Sequence, residues 1–201
     1  MQTSLNDVFS SKILRCKWSL PILVVLDEGP HRFSDLCKKI SLDAKSLSRK
    51  LDILASHGYV EHVGQVYSLN KRGEILVDAA KLLTNHIPVT VVAEVLKCKW
   101  TKQILVGLLD SPKFSSEVVS AIRGLSWKVA SNRFKKLVNS GLVRACYDLG
   151  ARPIRVRYEL TSKGKLFAAW LATYYPLLEE DLNRTSAQSY YTVGAMKTTG
   201  E

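Results

Sequence analysis

The chain carries one stretch of sequence twice, and this duplication restricts its possible folds more than any other feature. Residues 13–30 are ILRCKWSLPILVVLDEGP and residues 95–112 are VLKCKWTKQILVGLLDSP, at a constant spacing of 82 residues. Phe33 is then aligned with Phe114, so the second copy has one residue fewer after the shared proline. The second copy has two residues more further on, and from there the spacing is 83. Self-similarity over this length predicts two copies of one small domain.

Each copy has the pattern of a short helical domain that ends in a hairpin and a closing helix. In the first copy Trp18, Ile22 and Leu26 recur at helical spacing, and Gly64 separates two short segments with strand character. The predicted fold class is mainly α with small β-hairpin wings, arranged as two tandem winged helix-turn-helix domains. The predicted helices are 18–26, 33–40, 43–56, 71–85, 100–109, 115–122, 126–140 and 162–182, with strands 59–63, 65–69, 142–148 and 154–160 and further helices before residue 18 and over 89–97.

The predicted domain limits follow the repeat. The first winged helix-turn-helix domain takes residues 1–86 and has a short wing, and the second takes residues 87–183 and has a long basic wing. Residues 184–201 form a polar C-terminal tail without a clear period, which predicts a disordered or loosely docked segment.

The stretch from Ser126 to Leu142 has the pattern of a DNA recognition helix followed by the turn into the wing. At about 100° per residue, Ala130, Phe134 and Leu137 fall on one side, which predicts the face that packs on the domain. The opposite side has cations and short polar side chains, which suit phosphates and base edges in a major groove. The alternative is an ordinary amphipathic helix with a solvated charged face. The candidate DNA-binding residues on this helix are Lys128, Ser131, Asn132, Lys135 and Lys136.

The second wing carries a row of arginines. Apolar residues alternate with Arg155 and Arg157, and alternation along a strand places both arginines on one face. Arg152 lies at the predicted hairpin tip beside Pro153 and is the candidate for contact with the minor groove. The alternative for all three arginines is a solvated strand face.

The first domain is less well equipped to bind DNA. Asp52 and Ile53 stand where the second domain has two lysines, and a carboxylate repels phosphate. Residues 1–86 have a net charge of +3 and residues 87–201 one of +8, out of a total of +11. We therefore predict an asymmetric pair, in which the second domain is the main DNA-binding domain and the first is a weaker one or a scaffold. The candidate DNA-binding residues of the first domain are Lys45, Ser48 and Arg49.

Three tryptophans have predicted structural roles. Trp18 and Trp100 stand at the head of the first long helix of each copy, and their periodicity predicts core packing. Trp127 lies at the edge of the second recognition helix, where partial burial in the core is favoured over contact with a base or a phosphate. Cys16 and Cys98 precede the Lys-Trp pair of each copy, and buried packing of a small side chain is the favoured interpretation.

The ordered series of motifs resembles that of the HxlR-type transcriptional regulators, a branch of the MarR-like winged-helix proteins. Residues 95–175 contain KW-x3-IL-x2-L, KF, GLSWK-x2-S-x2-FKKL-x3-GLV and RPIRVRYELTSKG, and residues 13–83 contain KW, GPHRFSDL, K-x-LS-x2-L and Y-x-L-x3-G. Members of this family usually carry one such domain and pair as homodimers, so the resemblance implies that two copies in one chain form an internal pseudo-dimer. Some members sense oxidants through a cysteine upstream of the KW motif. Here a cysteine directly precedes KW, where glycine is more usual, and no redox role is carried over.

Composition argues against several other classes of protein. The four cysteines, at positions 16, 37, 98 and 146, contain no Cys-x-x-Cys pair and are not spaced with histidines as zinc ligands, so we predict no metal and no cofactor. The sequence has no Gly-rich phosphate loop, no H-E-x-x-H motif and no triad spacing, so we predict no enzyme. It has neither an apolar run of about 20 residues nor the order of a signal peptide, so we expect a cytoplasmic protein without a membrane partner.

The predicted function is that of a transcriptional regulator that binds double-stranded DNA, as a monomeric pseudo-dimer or as a homodimer, with an unknown effector. Two alternatives remain open. Tandem winged helices also occur in protein-interaction scaffolds similar to condensin-associated chromosome-segregation proteins, although a scaffold has no need of a strongly basic second half. A basic chain could also bind chromatin or RNA with little sequence preference, and the ratio of specific to non-specific binding separates that case from a regulator.

Overall fold

The structure, a computed structural model, describes residues 11–150 and 155–174. Their contacts divide into two compact units, one of residues 11–79 with Tyr174 and one of residues 80–173. This division falls inside the helix Lys71–Thr84, which the repeat assigns to the first domain. The domain limits at residues 86 and 183 therefore stay a prediction, and the tail over 184–201 lies outside the described residues.

Both units have the element order of a helix-turn-helix followed by a wing, which confirms the predicted fold class. The first contains α1 (Ser11–Leu14), α2 (Ser19–Leu26), β1 (His31–Arg32), α3 (Phe33–Lys39), α4 (Ala44–Ser56), β2 (Val60–Val63) and β3 (Val66–Leu69), followed by α5 (Lys71–Thr84). The second contains α6 (Val89–Leu96), α7 (Lys99–Gly107), β4 (Lys113–Phe114), α8 (Ser115–Ala121), α9 (Trp127–Asn139), β5 (Val143–Asp148), β6 (Arg155–Leu160) and α10, described over 162–174.

Each sheet has a third, very short strand that the sequence pattern does not predict. The strand orders are β1-β3-β2 and β4-β6-β5, and all the pairings are antiparallel. β1 and β4 have two residues each. A two-residue strand cannot show alternation, so the periodicity that indicates longer strands has nothing to act on.

The strand registers correct the alignment of the two copies. β1 and β4 each begin opposite a tyrosine of the hairpin, so Arg32, and not Phe33, is the structural equivalent of Phe114. α3 and α8 follow at once and have seven residues each. The spacing of 82 therefore continues through these helices, and a single inserted residue before α9 raises it to 83. The alignment of Phe33 with Phe114 is wrong because it followed residue type, whereas backbone pairing fixes the position.

The two recognition helices, α4 and α9, have 13 residues each and the same kind of N-cap. The side chains of Asp43 and Ser126 accept a hydrogen bond from the backbone N–H three residues further on, at 2.9 and 3.4 Å. Each of these side chains is the N-cap of its helix and satisfies an N–H group that lacks a partner within the helix. Gly58 and Gly141, with φ of 72° and 70°, turn the chain from each helix toward its wing in a conformation that favours glycine.

Both closing helices touch a backbone carbonyl at a glycine. A Cβ on Gly73 of α5 would lie 2.2 Å from the oxygen of Tyr59, and one on Gly164 of α10 would lie 1.9 Å from the oxygen of Leu142. Each carbonyl belongs to the residue just before the first long strand of the wing. The same close approach in both units requires glycine at both places and ties each closing helix to its hairpin.

Two further features of the described residues concern membrane-spanning helices and metal sites. Within residues 11–150 and 155–174, no single helix is long and apolar enough to cross a membrane, and α5 and α6 pass that test only together, as a bent pair. In the same part of the chain, no three His, Cys, Asp or Glu side chains are grouped as metal ligands.

Candidate nucleic-acid interface

α9 buries its apolar stripe and exposes its cationic face. Ala130, Phe134 and Leu137 are each 1% exposed, which confirms the predicted inward stripe. The opposite face presents three ammonium groups, two amides and one hydroxyl, the groups that bind phosphates and base edges. Asn139 is exposed on this face, and so are the five predicted residues, Lys128, Ser131, Asn132, Lys135 and Lys136.

α4 has the same architecture and weaker chemistry. Its inward stripe of Leu47, Leu51 and Leu54 is fully buried. Asp52 and Ile53 are exposed at the places of Lys135 and Lys136. The outer face of α4 therefore combines two cations with a carboxylate, and it attracts a polyanion less than the face of α9 does. The predicted residues Lys45, Ser48 and Arg49 are all exposed on it.

The second wing is longer than the first. β5 and β6 have six residues each, whereas β2 and β3 have four. Two more residues in each strand lengthen the wing by about 7 Å. The first hairpin turns within two residues, Gly64 and Gln65, so it projects less far from its unit.

Arg155 and Arg157 share one face of the second wing, as predicted. Their guanidinium groups lie over the ring of Phe114, at 5.9 and 4.8 Å from its centroid. Tyr158 points to the other face and stacks on Phe134 of α9 at 3.9 Å. The two arginines therefore lie on the side of the sheet that faces away from α9. Arg152, the third candidate of the wing, lies outside the described residues.

A third described arginine on this face of the wing is already paired. Arg144 of β5 donates to Glu159 of β6 at 3.0 Å. This hydrogen bond and the positive charge of Arg144 hold the pKa of the Glu159 carboxyl below its usual value. Neither residue could be predicted from the sequence, because only the strand register shows that they stand opposite each other.

Glu94 of α6 is a third functional residue that was not predicted from the sequence. Its carboxylate lies 2.6 Å from Nζ of Lys97 and 3.3 Å from Nζ of Lys136. Partial burial acts to raise the pKa of Glu94, but hydrogen bonds and charge from Lys97 and then Lys136 outweigh it and hold that pKa below its usual value. The side chain of Lys136 is still 58% exposed, so it is held on one side and open to solvent on the other.

Glu94 and Lys136 stand at a cleft between α6, α7 and α9. The cleft has a volume of about 230 Å³ and a largely apolar wall with Arg133 at one side. The position of one predicted DNA-binding lysine thus depends on a carboxylate from a helix that precedes the helix-turn-helix.

The tryptophans differ from the predictions. Trp127 is the first residue of α9 and is 58% exposed, so the prediction of partial core burial is wrong. A side chain in the first turn leans toward the helix N-terminus, where no earlier turn covers it. Trp18 and Trp100 are only half-buried, and Nζ of the preceding lysine lies 4.9 and 4.2 Å from each ring centroid. Cys16 and Cys98, expected to be buried, are likewise half-buried, and both are free thiols.

Comparisons with known proteins match both copies of the repeat. A family model described as HxlR-like helix-turn-helix matches residues 13–88 and 95–186. YvaP of Bacillus subtilis (strain 168) is 35% identical over 75 residues, which are 37% of this chain and 68% of that protein. YtfH of Escherichia coli (strain K12) is 33% identical over 84 residues, which are 38% of this chain and 67% of that protein. Both are described as uncharacterized HTH-type transcriptional regulators.

One solved structure to which the chain is similar is that of a putative transcriptional regulator, ytfH from Salmonella typhimurium. It is 24% identical with a TM-score of 0.45, over 53% of this chain and 94% of that chain.

Proposed function

The chain belongs to the HxlR-like helix-turn-helix family, and from that premise we propose that it is a transcriptional regulator that binds duplex DNA mainly through its second unit. The observation that carries this proposal is the outer face of α9, where every predicted polar and cationic residue is exposed. The buried stripe behind that face fixes α9 on the unit, so the face is presented as a rigid surface.

In this proposal α9 lies in the major groove, and the residues nearest its N-terminus contact base edges. Lys128 suits guanine, whose major-groove edge has two acceptors, and the amide of Asn132 suits adenine. Lys135 and Lys136 lie further along the helix and bind phosphates, which adds affinity without sequence preference.

The second wing binds the backbone or the minor groove beside that site. Cation–π contacts with Phe114 restrain Arg155 and Arg157 on the outer face of the sheet. Ordering these long side chains before binding lowers the entropy that binding must remove. Arg152 belongs to the same proposal as the residue for the narrow minor groove.

The first unit contributes a second, weaker contact. The family pairs single domains, and here the paired domains would belong to one chain, as an internal pseudo-dimer. The two units of one chain would then occupy two DNA half-sites that lie about one helical turn apart. Occupation of promoter DNA in this way would block or recruit polymerase.

The test is selection of duplexes from a random library by the full chain, followed by affinity measurements at one fixed salt concentration. A regulator is expected to bind its selected duplex at least about 10³-fold more tightly than random duplex. A ratio near one would replace the regulator with a non-specific nucleic-acid-binding protein. If the chain binds no duplex at moderate salt, the result would favour a protein-interaction scaffold instead of a regulator.

Variants in α9 test direct contact with the bases. Lys128→Ala and Asn132→Ala should each weaken binding to the selected duplex by about 1–3 kcal/mol. Binding to random duplex should change much less for Asn132→Ala, because the amide carries no charge. An unchanged sequence preference in both variants would remove these two residues from base recognition.

A further inference from the structure

Trp127 occupies the part of α9 where helix-turn-helix proteins touch base edges. It is the first residue of the helix, directly after the N-cap Ser126, and it is 58% exposed. Leu125, two residues earlier, is 5% exposed and anchors the chain to the unit. The indole therefore stands on a fixed backbone and projects away from the core.

The exposed aromatic ring of Trp127 has no counterpart in the first unit. The equivalent first residue of α4 is Ala44, which is also exposed. An indole in water adds little to folding, since burial of apolar area is what stabilises a fold. A large apolar side chain beside the exposed Lys128 and Ser131 instead suits a surface that becomes buried on binding.

The chemistry of the major groove limits what an indole can recognise there. An indole has one N–H donor and no acceptor, and its main contribution is apolar area. The apolar group that a base pair presents in the major groove is the 5-methyl group of thymine. Hydrogen-bonding residues of α9 can distinguish guanine and adenine, but they do not contact this methyl group favourably.

We propose that Trp127 is a specificity-determining residue of α9 that packs its indole against the 5-methyl group of a thymine in the bound DNA. This inference rests on the proposed function, because it requires that α9 enters the major groove. It adds a thymine preference near the N-terminus of α9 that the lysines and the amide do not supply.

The experiment uses the full chain and a duplex selected by it from a random library. Each thymine of that duplex is replaced in turn by deoxyuridine, which removes the methyl group and keeps the base pair. At one or two positions the replacement should weaken binding by about four-fold, the equivalent of about 0.8 kcal/mol for one buried methyl group.

The same series is then measured with Trp127→Ala. This variant should bind the all-thymine duplex about ten-fold more weakly and should lose the deoxyuridine effect at those positions, because the partner of the methyl group is gone. Leu82→Ala is the control, since Leu82 is 57% exposed on α5 and outside both α9 and the wing. It should retain wild-type affinity and the deoxyuridine effect. An unchanged thermal unfolding midpoint verifies that Trp127→Ala still folds, and Trp127→Phe, with a smaller ring, should give intermediate values.

Several outcomes would overturn the inference. One is that Trp127→Ala binds with wild-type affinity, and another is that no deoxyuridine replacement weakens binding by the wild type. The third is that Trp127→Ala weakens binding to every duplex equally, which would indicate a phosphate contact of the indole N–H. In each of these cases the wild-type chain still selects a duplex, so the proposed function stands without the thymine contact. If the wild-type chain selects no duplex, the proposed function itself fails.

Discussion

Removal of the charge of Glu94 should strengthen DNA binding. Glu94→Gln keeps the size of the side chain but no longer holds Lys136 in an ion pair at 3.3 Å. Lys136, whose side chain is already 58% exposed, then binds a phosphate without competition from the Glu94 carboxylate. The loss of a surface ion pair changes the free energy of unfolding by about 1 kcal/mol or less, so the main effect falls on binding.

The size of this effect follows from counterion release. Each phosphate that a cation neutralises contributes about 0.9 to the slope of log affinity against log salt concentration. Glu94→Gln releases both Lys97 and Lys136. Lys136 is the one on the outer face of α9, so its release should steepen the slope by up to about 0.9. When the salt concentration is lowered from about 200 to about 50 mM, the ratio of the DNA affinity of Glu94→Gln to that of the wild type should increase about 3.5-fold.

Fluorescence anisotropy of a labelled duplex, titrated with the full chain across that salt range, measures the slope. Glu74→Gln is the matched control, because Glu74 makes a similar exposed ion pair, with Lys71 of α5 at 3.3 Å, and its loss changes the net charge equally. Equal steepening by both variants would mean that net charge alone is responsible. No change with Glu94→Gln would mean that Lys136 does not bind a phosphate.

Three further predictions concern the close approach of α10, the first unit and the wing. Gly164→Ala should lower the free energy of unfolding by about 1–3 kcal/mol, because the new Cβ meets a carbonyl oxygen. A Cβ on Gly107 meets nothing within 4 Å, so the control Gly107→Ala should be neutral or stabilising. Urea unfolding compares them, and equal values would contradict the close approach. Asp52→Lys combined with Ile53→Lys should steepen the salt slope by up to about 1.8 if the first unit lies on DNA, and an unchanged slope would make that unit a scaffold. Replacement of Arg155 and Arg157 by Gln should flatten the slope by up to about 1.8, and an unaltered slope would mean that the wing misses DNA.

The recognition helices could be predicted from the sequence because their signals are local. The stripe of Ala130, Phe134 and Leu137 repeats at helical spacing, and Ser126 and Gly141 mark the two ends of the helix. Each of these signals depends on residues within one or two turns. The structure reproduces them because packing of the unit agrees with the local preferences.

The parts that could not be predicted depend on contacts between distant residues. Glu94 and Lys136 are 42 residues apart in the chain, and no periodicity links them. The pairing of Arg144 with Glu159 depends on a strand register that apolar alternation alone does not fix. The exposure of Trp127 was missed because its angle on the helix placed it near the core stripe, whereas its position in the first turn determines how much of the ring is covered.

The central claim is that α9, more than α4, holds the DNA. It is tested most directly by the salt slope of the full chain with two cations removed from either helix, since both variants lose the same charge. Lys135→Gln with Lys136→Gln should flatten the slope by up to about 1.8, and Lys45→Gln with Arg49→Gln should flatten it clearly less. An equal or larger loss from the α4 pair would contradict the account, as would an unchanged slope in both.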